Sequence, residues 1–461
     1  MPKLKDISNQ SLTALSEAIA KTEIPSEKTA LMDNFLQGQQ YKILIEDNPE
    51  NPKTKRLTFL WPDPNKKFPN LRLRFFGGVD IHDSDEIPKG GNPEYGMTPI
   101  PGIGWAMSCE LPSDARIAFD FAIIGEDDGK SRNRADPTWR KLQTLMLPDA
   151  DPQPWLDADN TGKEGSLIKF SPKFSKDPWV EAAPEEAARD ISVYLPHGYD
   201  PHRTEPYPLI VCLDSREFVA LMNMTKTLDN LISAGAIPPT IVTFVNCPSP
   251  QSKSYLRETE YQCNEKFSSF LTDELVPKLR SEFRITEDPS ATTIMGVSFS
   301  GLGATNTALH HPETFGKVLS LSGAFWWHPD FKEDASSSPA RWLIDHCPEG
   351  GSPVRFYLTA GTQETSAPCD LLGSNLAMAA ELRECGHQVQ LTTFNGNHHP
   401  VYWQGAVADG LISIQNPVLA LDPKVSSTCF FQAHQTKSEP KLKDHTKTDP
   451  YGPGAIVPYG P

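Results

Sequence analysis

No stretch of this 461-residue chain is apolar for long enough to cross a bilayer as a helix, so a helical membrane span is not expected. Basic residues are in the minority. Lys and Arg number 43 against 59 Asp and Glu, giving a formal net charge of −16. A general nucleic-acid binder needs a basic surface, so nucleic acid is not an expected partner. A local cationic pocket for an anionic ligand is still compatible with that balance. The eight cysteines are scattered, with no CxxC pair and no metal-type spacing. They read as reduced thiols of a cytoplasmic protein, with no resident metal and no cofactor. Behind the lysines of Met1–Asp6 no apolar core follows, so a secretory leader is not expected either. No internal repeat is visible.

What the chain does have is two different hydrophobic grammars. A helical segment is expected within 1–38, where Leu12, Leu15 and Ile19 share a face behind Ser11. From 39 to 150 the pattern is of strands. Arg56–Trp61 is one, and Leu71–Phe76 and Arg116–Phe121 alternate strictly, separated by Pro/Gly/Asp loops. Strands with no helix between them imply an all-β, Ig-like sandwich. A connector rich in Pro, Asp and Trp covers 151–180. Within 181–421 continuous apolar runs such as Leu209–Leu213 and Thr240–Val245 alternate with helical segments such as Phe267–Phe283. Strands buried on both faces and alternating with helices imply a doubly wound α/β sheet. The segment 422–461, rich in Lys, Ser, Thr, Pro and Gly, reads as a disordered tail.

The α/β region carries the chemistry. Thr293–Ala304 runs from an apolar strand into Gly296-Val297-Ser298-Phe299-Ser300-Gly301 and then into small residues. This is the pattern of a nucleophile elbow, a strand–serine–helix turn whose neighbours must be small because the backbone is crowded. Taken alone, the same letters also fit a Gly/Ser loop capped by Ser298. Two further placements favour the catalytic reading. The strand Val354–Thr359 leads into a glycine turn with Glu364 just beyond, and Val389–Phe394 leads into Asn395-Gly396-Asn397-His398-His399. Serine, acid and histidine thus follow three strand ends in the chain order of an α/β-hydrolase. A serine hydroxyl needs a base to take its proton, histidine is poised to do so, and a carboxylate fixes the imidazole tautomer. The residues leave His398 and His399 as rivals for the base, and Glu364 and Asp370 for the acid. Adjacent histidines point apart and have no third ligand nearby, so a metal site is not expected. The oxyanion needs two donors, expected at the backbone N–H of Phe299 and in the loop Asp214-Ser215-Arg216-Glu217, at Ser215.

These residues, with several others, resemble the enterochelin esterase family, which opens ferric catecholate siderophores. The likeness includes His311-Pro312-Glu313-Thr314-Phe315-Gly316 after the elbow helix and Ser320-Leu321-Ser322-Gly323-Ala324-Phe325-Trp326-Trp327. It extends to Arg257, Glu260, Asn264, Phe267, Glu274, Leu275 and Pro277, and in the first region to Phe59–Pro64 and Trp139–Leu142, spanning roughly 40–415. The family's Gly-x-His with a Trp five positions later falls on Gly396, His398 and Trp403, which favours His398 as the base. Ser300 and Ser215 stand where the family has glycine, and His399 where an acid is common.

The resemblance implies an α/β-hydrolase domain behind an N-terminal sandwich, and a serine esterase that cuts the ester bonds of a ferric siderophore for iron release inside the cell. The ferric complex is anionic and arrives as a small-molecule substrate. Arg257 and then Arg216 are the candidate cations for it, and Trp326 and Trp327 the candidate rings to stack on catechols. Other readings are a general carboxylic-ester hydrolase, feruloyl-esterase-like or acting on an acyl-peptide ester, and a non-catalytic siderophore-binding protein.

Overall fold

The computed structural model describes residues 10–23, 25–36, 42–63, 71–76, 94–124, 131–134, 143–150, 152–157, 163–175, 177, 189–215, 217–246, 257–330, 341–348, 351–365 and 369–415. Two compact units divide between Ala150 and Asp151. The expected tail at 422–461 and Trp139–Leu142 lie outside the described residues.

The first unit opens with two helices, Gln10–Lys21 and Pro25–Leu36. The second begins on a proline, whose missing N–H costs nothing in the first turn. The strands that follow are β1 (Lys42–Asp47), β2 (Thr54–Pro62), β3 (Leu71–Phe76), β4 (Glu94–Gly96), β5 (Thr98–Ile100), β6 (Gly104–Pro112), β7 (Arg116–Ile124), β8 (Ser131–Arg134) and β9 (Gln143–Met146). They form two sheets, β1-β2-β6-β5 and β4-β3-β7-β8 with β9 also on β7, and every pairing is antiparallel. Alternation explains the packing. Leu57, Phe59 and Trp61 of β2 meet Leu73 and Phe75 of β3 and Phe119 and Phe121 of β7 in one core. Leu60 points the other way and packs, with Ile103 and Ala106, against Leu15, Ile19, Met32 and Leu36 of the two helices. The helices therefore cover one sheet's outer face, which is why Leu60 stands where the alternation of Arg56 and Thr58 would put a polar residue.

The second unit is built on an eight-stranded sheet. Its strands are β10 (Ser166–Phe170), β11 (Ile191–Leu195), β12 (Leu209–Leu213), β13 (Ile241–Val245), β14 (Thr292–Val297), β15 (Lys317–Leu321), β16 (Arg355–Gly361) and β17 (Gln388–Phe394). The spatial order is β10-β11-β13-β12-β14-β15-β16-β17, antiparallel at β10–β11 and β11–β13 and parallel from β13 onward. This is the doubly wound sheet of an α/β-hydrolase. β12 and β13 are buried along their whole length, as continuous apolar runs predict. β10 lies within the segment read as a connector. It is an edge strand with four of its five side chains exposed, so no apolar pattern betrays it. The long segment after β13 is more broken than its sequence suggests. A short helix Arg257–Tyr261 precedes Glu265–Ser269, a π-helical turn Phe270–Leu275 and Val276–Glu282. The Asn264 side chain caps the second of these by accepting from the N–H groups of Lys266 and Phe267.

Candidate active site

The elbow forms where β14 turns into the helix Phe299–His310. Ser298 adopts φ 58° and ψ −123°, a conformation that a non-glycine residue holds only when its surroundings enforce it. Those surroundings are explicit. Ser298 N–H donates to the Leu321 carbonyl of β15 at 2.9 Å, and the Ser298 carbonyl accepts from Ala324 at 3.0 Å and Leu302 at 3.1 Å. A side chain at Gly296 would place its Cβ 2.3 Å from the Ser300 carbonyl oxygen, so only glycine fits. Ser300, where the resembled family has glycine, is fully buried. Its hydroxyl donates to the Val297 carbonyl at 2.8 Å and accepts from the Val297 N–H at 2.8 Å, lacing the turn shut.

The structure brings His398 and Glu364 together. His398 Nδ1 lies 2.7 Å from Glu364 Oε1, and Glu364 Oε2 accepts the Gly361 N–H at 2.8 Å. The Glu364 side chain is fully covered while the His398 ring is one-third exposed, a buried anion beside a reachable base. A carboxylate on Nδ1 requires the proton there, which leaves the Nε2 lone pair pointing away from it. The ring stands edge-on to Trp403 at 4.8 Å, and Trp403 donates its indole N–H to Ser322 Oγ at 3.0 Å.

The two rivals are occupied otherwise. Asp370 caps the helix Leu371–Glu384 by accepting the Gly373 N–H at 2.8 Å. His399 is buried, its Nδ1 accepts the Val401 N–H at 3.3 Å, and burial with the neighbouring His398 pushes its pKa down to about 3.

On the other side of the elbow strand, β12 ends at Leu213 and the chain turns through Asp214 at φ 56° into Ser215. Ser215 Oγ lies 3.4 Å from Asn246 Oδ1. Arg257 does not stand alone as the sequence reading imagined. Its Nε and a terminal nitrogen donate to the two carboxylate oxygens of Asp214 at 3.1 and 2.7 Å. Its guanidinium also lies 5.9 Å from the Phe299 ring and 5.8 Å from that of Tyr261. Trp326 is buried in the core with its ring 5.7 Å from that of Phe299, whereas Trp327 is half-buried. Arg216 lies outside the described residues.

A group that sequence reasoning missed anchors this side. Arg189 is fully buried and donates to Asp177, to Glu260 and to the Asn246 carbonyl at 3.1 Å, with its guanidinium against the rings of Phe267 and Phe270. Burial pushes its pKa down, but Glu260 and Asp177 more than offset this and hold the guanidinium above its usual value. The partners lie 12 and 71 residues away in the chain, so no local pattern signals the cluster.

Residues 185–414 match the family model described as a putative esterase. The iron(III) enterobactin esterase of Dickeya dadantii (strain 3937) is 26% identical over 394 residues, covering 77% of this chain and 86% of that protein. That of Escherichia coli (strain K12) is 24% identical, covering 80% and 93%. The structure of the Shigella flexneri enterobactin esterase in the presence of enterobactin superposes with a TM-score of 0.62 at 22% identity, covering 84% of this chain and 98% of that one. Fold and family match together define a carboxylic-ester hydrolase of the α/β-hydrolase class. Within that class, the chain is similar over most of its length to iron(III) enterobactin esterases.

Proposed function

We propose that this protein is a serine esterase that opens the lactone backbone of a ferric catecholate siderophore. The observation that carries the reading is the 2.7 Å contact between His398 and a buried Glu364, in the same unit as a serine forced to φ 58° at a strand–helix elbow. In this mechanism Ser298 Oγ attacks the ester carbonyl while His398 Nε2 takes its proton. The oxyanion forms against the N–H groups of Phe299 and Ser215. His398 then gives the proton to the departing alkoxide, leaving an acyl-serine and a free alcohol. Water repeats the sequence, with His398 again as base, and releases the acid. Glu364 holds the imidazole in the required tautomer and stabilises the imidazolium.

The siderophore substrate is supported by the enzymes named in the comparisons, and its chemistry suits the outcome. A cyclic ligand holds iron(III) through a high local concentration of chelating groups, and cutting the ring lowers that concentration. Iron enters and leaves with the substrate. Trp327, half-buried beside the covered Trp326, offers a ring face to a catechol. We place the enzyme in the cytoplasm, where Cys109, Cys212, Cys263, Cys347, Cys369 and Cys385, all free thiols, would persist. No helix among the described residues is long and apolar enough to cross a membrane.

The test is to incubate the pure protein with ferric enterobactin, a tris-catecholate trilactone, and follow linear products by chromatography. Stoichiometric linearisation that vanishes in Ser298→Ala is expected. Activity on simple aryl esters with none on the trilactone would confine the protein to general ester hydrolysis.

A further inference from the structure

Resting on that serine-esterase reading, we propose that the Arg257–Asp214 ion pair positions the oxyanion-stabilising loop. Arg257 is then a positioning residue for the transition state and not a contact for the charge of the substrate. Four observations carry this. Asp214 immediately precedes Ser215, whose N–H is the second donor, and Asp214 sits at φ 56°, in the left-handed region that aspartate enters more readily than most non-glycine residues. It is held at three points. Arg257 takes both carboxylate oxygens in a bidentate grip, at 3.1 and 2.7 Å, and the Asp214 N–H donates to the Tyr261 hydroxyl at 3.3 Å. Arg257 and Tyr261 are the two ends of one short helix, Arg257–Tyr261. That helix is itself fixed, because its Glu260 is locked to buried Arg189 and because Gly303 of the elbow helix lets it approach closely. A Cβ at Gly303 would lie 3.1 Å from Tyr261 Cα.

The same guanidinium lies 5.9 Å from the ring of Phe299, the residue that carries the first donor. One side chain thus touches the residue beside one oxyanion donor and the ring of the other. A bidentate guanidinium–carboxylate pair fixes direction as well as distance. Donors aimed in advance at the developing charge are where such sites gain rate. With its fork closed on Asp214, Arg257 carries little net charge toward a distant anion but can set the spacing of the two N–H groups.

The test uses the full chain and two substrates, a neutral p-nitrophenyl ester and ferric enterobactin. Arg257→Ala and Asp214→Asn should each lower kcat on both substrates by about 10- to 100-fold, less than outright loss of a donor, with KM changed less than about threefold. The double variant should be no worse than the poorer single, because both remove one interaction. Arg257→Lys, which keeps the charge and loses the fork, should resemble Arg257→Ala. Added guanidinium should restore kcat of Arg257→Ala in part, which a merely misfolded variant would not show. Affinity for an aryl boronic acid, a tetrahedral mimic, should fall by the same factor as kcat/KM.

A rise in KM confined to the ferric substrate, or an Arg257→Lys enzyme that behaves as wild type, would overturn the inference and return Arg257 to charge recognition. Additive losses in the double variant would overturn it as well. Ser298→Ala separates the premises. If it abolishes hydrolysis of the neutral ester while Arg257→Ala leaves kcat intact, only the positioning role fails. If Ser298→Ala is active, the esterase mechanism itself fails.

Discussion

Ser298 is held at φ 58° by three backbone hydrogen bonds that do not involve its side chain. Removing its hydroxyl therefore takes away the nucleophile and leaves the elbow. Ser298→Ala should fold normally by thermal melting and lose at least about 1,000-fold in turnover of ferric enterobactin. For the acid, Glu364→Gln should cost less than His398→Ala, since a carboxylate orients and stabilises the base without moving a proton itself. Asp370→Asn should leave turnover nearly unchanged, because asparagine caps a helix about as well as aspartate. A larger loss at Asp370 than at Glu364 would reverse the assignment.

His399 makes a different prediction. Its pKa falls from 6.5 to about 3 because burial, and then the neighbouring His398, disfavour the imidazolium. Between those values the unfolded chain takes up a proton that the native state refuses. Stability from this residue is therefore complete above pH 6.5 and declines as pH falls towards 3, by up to about 1.4 kcal/mol per pH unit. Urea melts of His399→Gln between pH 6 and 4 should show a flatter acid limb than the wild type. An unchanged slope would mean that His399 takes up its proton in the folded state. At this scale Ser298 was legible because its neighbours must be small, whereas the residues alone left His398 and His399 as rivals and only the resemblance to the family's Gly-x-His segment favoured His398. The acid was not, since Glu364 and Asp370 share one loop and only the fold shows which reaches the imidazole.

The elbow is a joint between two elements, and its one departure from the family's glycine has a mechanical account. Ser300 Oγ both accepts from Val297 N–H and donates to its carbonyl, so the hydroxyl satisfies the end of β14 from inside the first helical turn. Ser300→Ala keeps the volume and strands a buried N–H, which should cost about 1–3 kcal/mol in urea unfolding. If stability is unchanged and only activity falls, Ser300 serves the chemistry instead of the joint. Elements with strong periodicity, such as β3, β7 and the buried runs of β12 and β13, were readable from their residues. β10 and the helix Arg257–Tyr261 were not. An exposed edge strand has no apolar period, and a helix of five residues has too few turns to show one. Asp177 of the connector, Arg189 just before β11 and Glu260 of that short helix meet only in the folded chain, so their pairing is a property of the fold alone.

Over the whole molecule, the class of enzyme was written in the order of three strand-end residues, while substrate recognition was not, because charge in a sequence carries no partner. Arg257 reads as a cation awaiting an anion until Asp214 is seen to occupy it. That pairing changes the expected electrostatics of binding. The chain carries a formal net charge of −16, and the proposed ferric substrate is also anionic. If the obvious local cation is neutralised by its own carboxylate, long-range repulsion governs the encounter. Salt screens repulsion, shrinking the reach of the field from about 30 Å at 0.01 M to about 8 Å at 0.15 M. We therefore expect kcat/KM for ferric enterobactin to rise about two- to fivefold between those ionic strengths, with a neutral p-nitrophenyl ester unaffected. Initial rates at substrate well below KM measure this directly. A fall with added salt would mean that an unpaired cation steers the substrate after all, with Arg216 the residue to substitute first. A change shared by both esters would place the effect on the protein and not on the encounter.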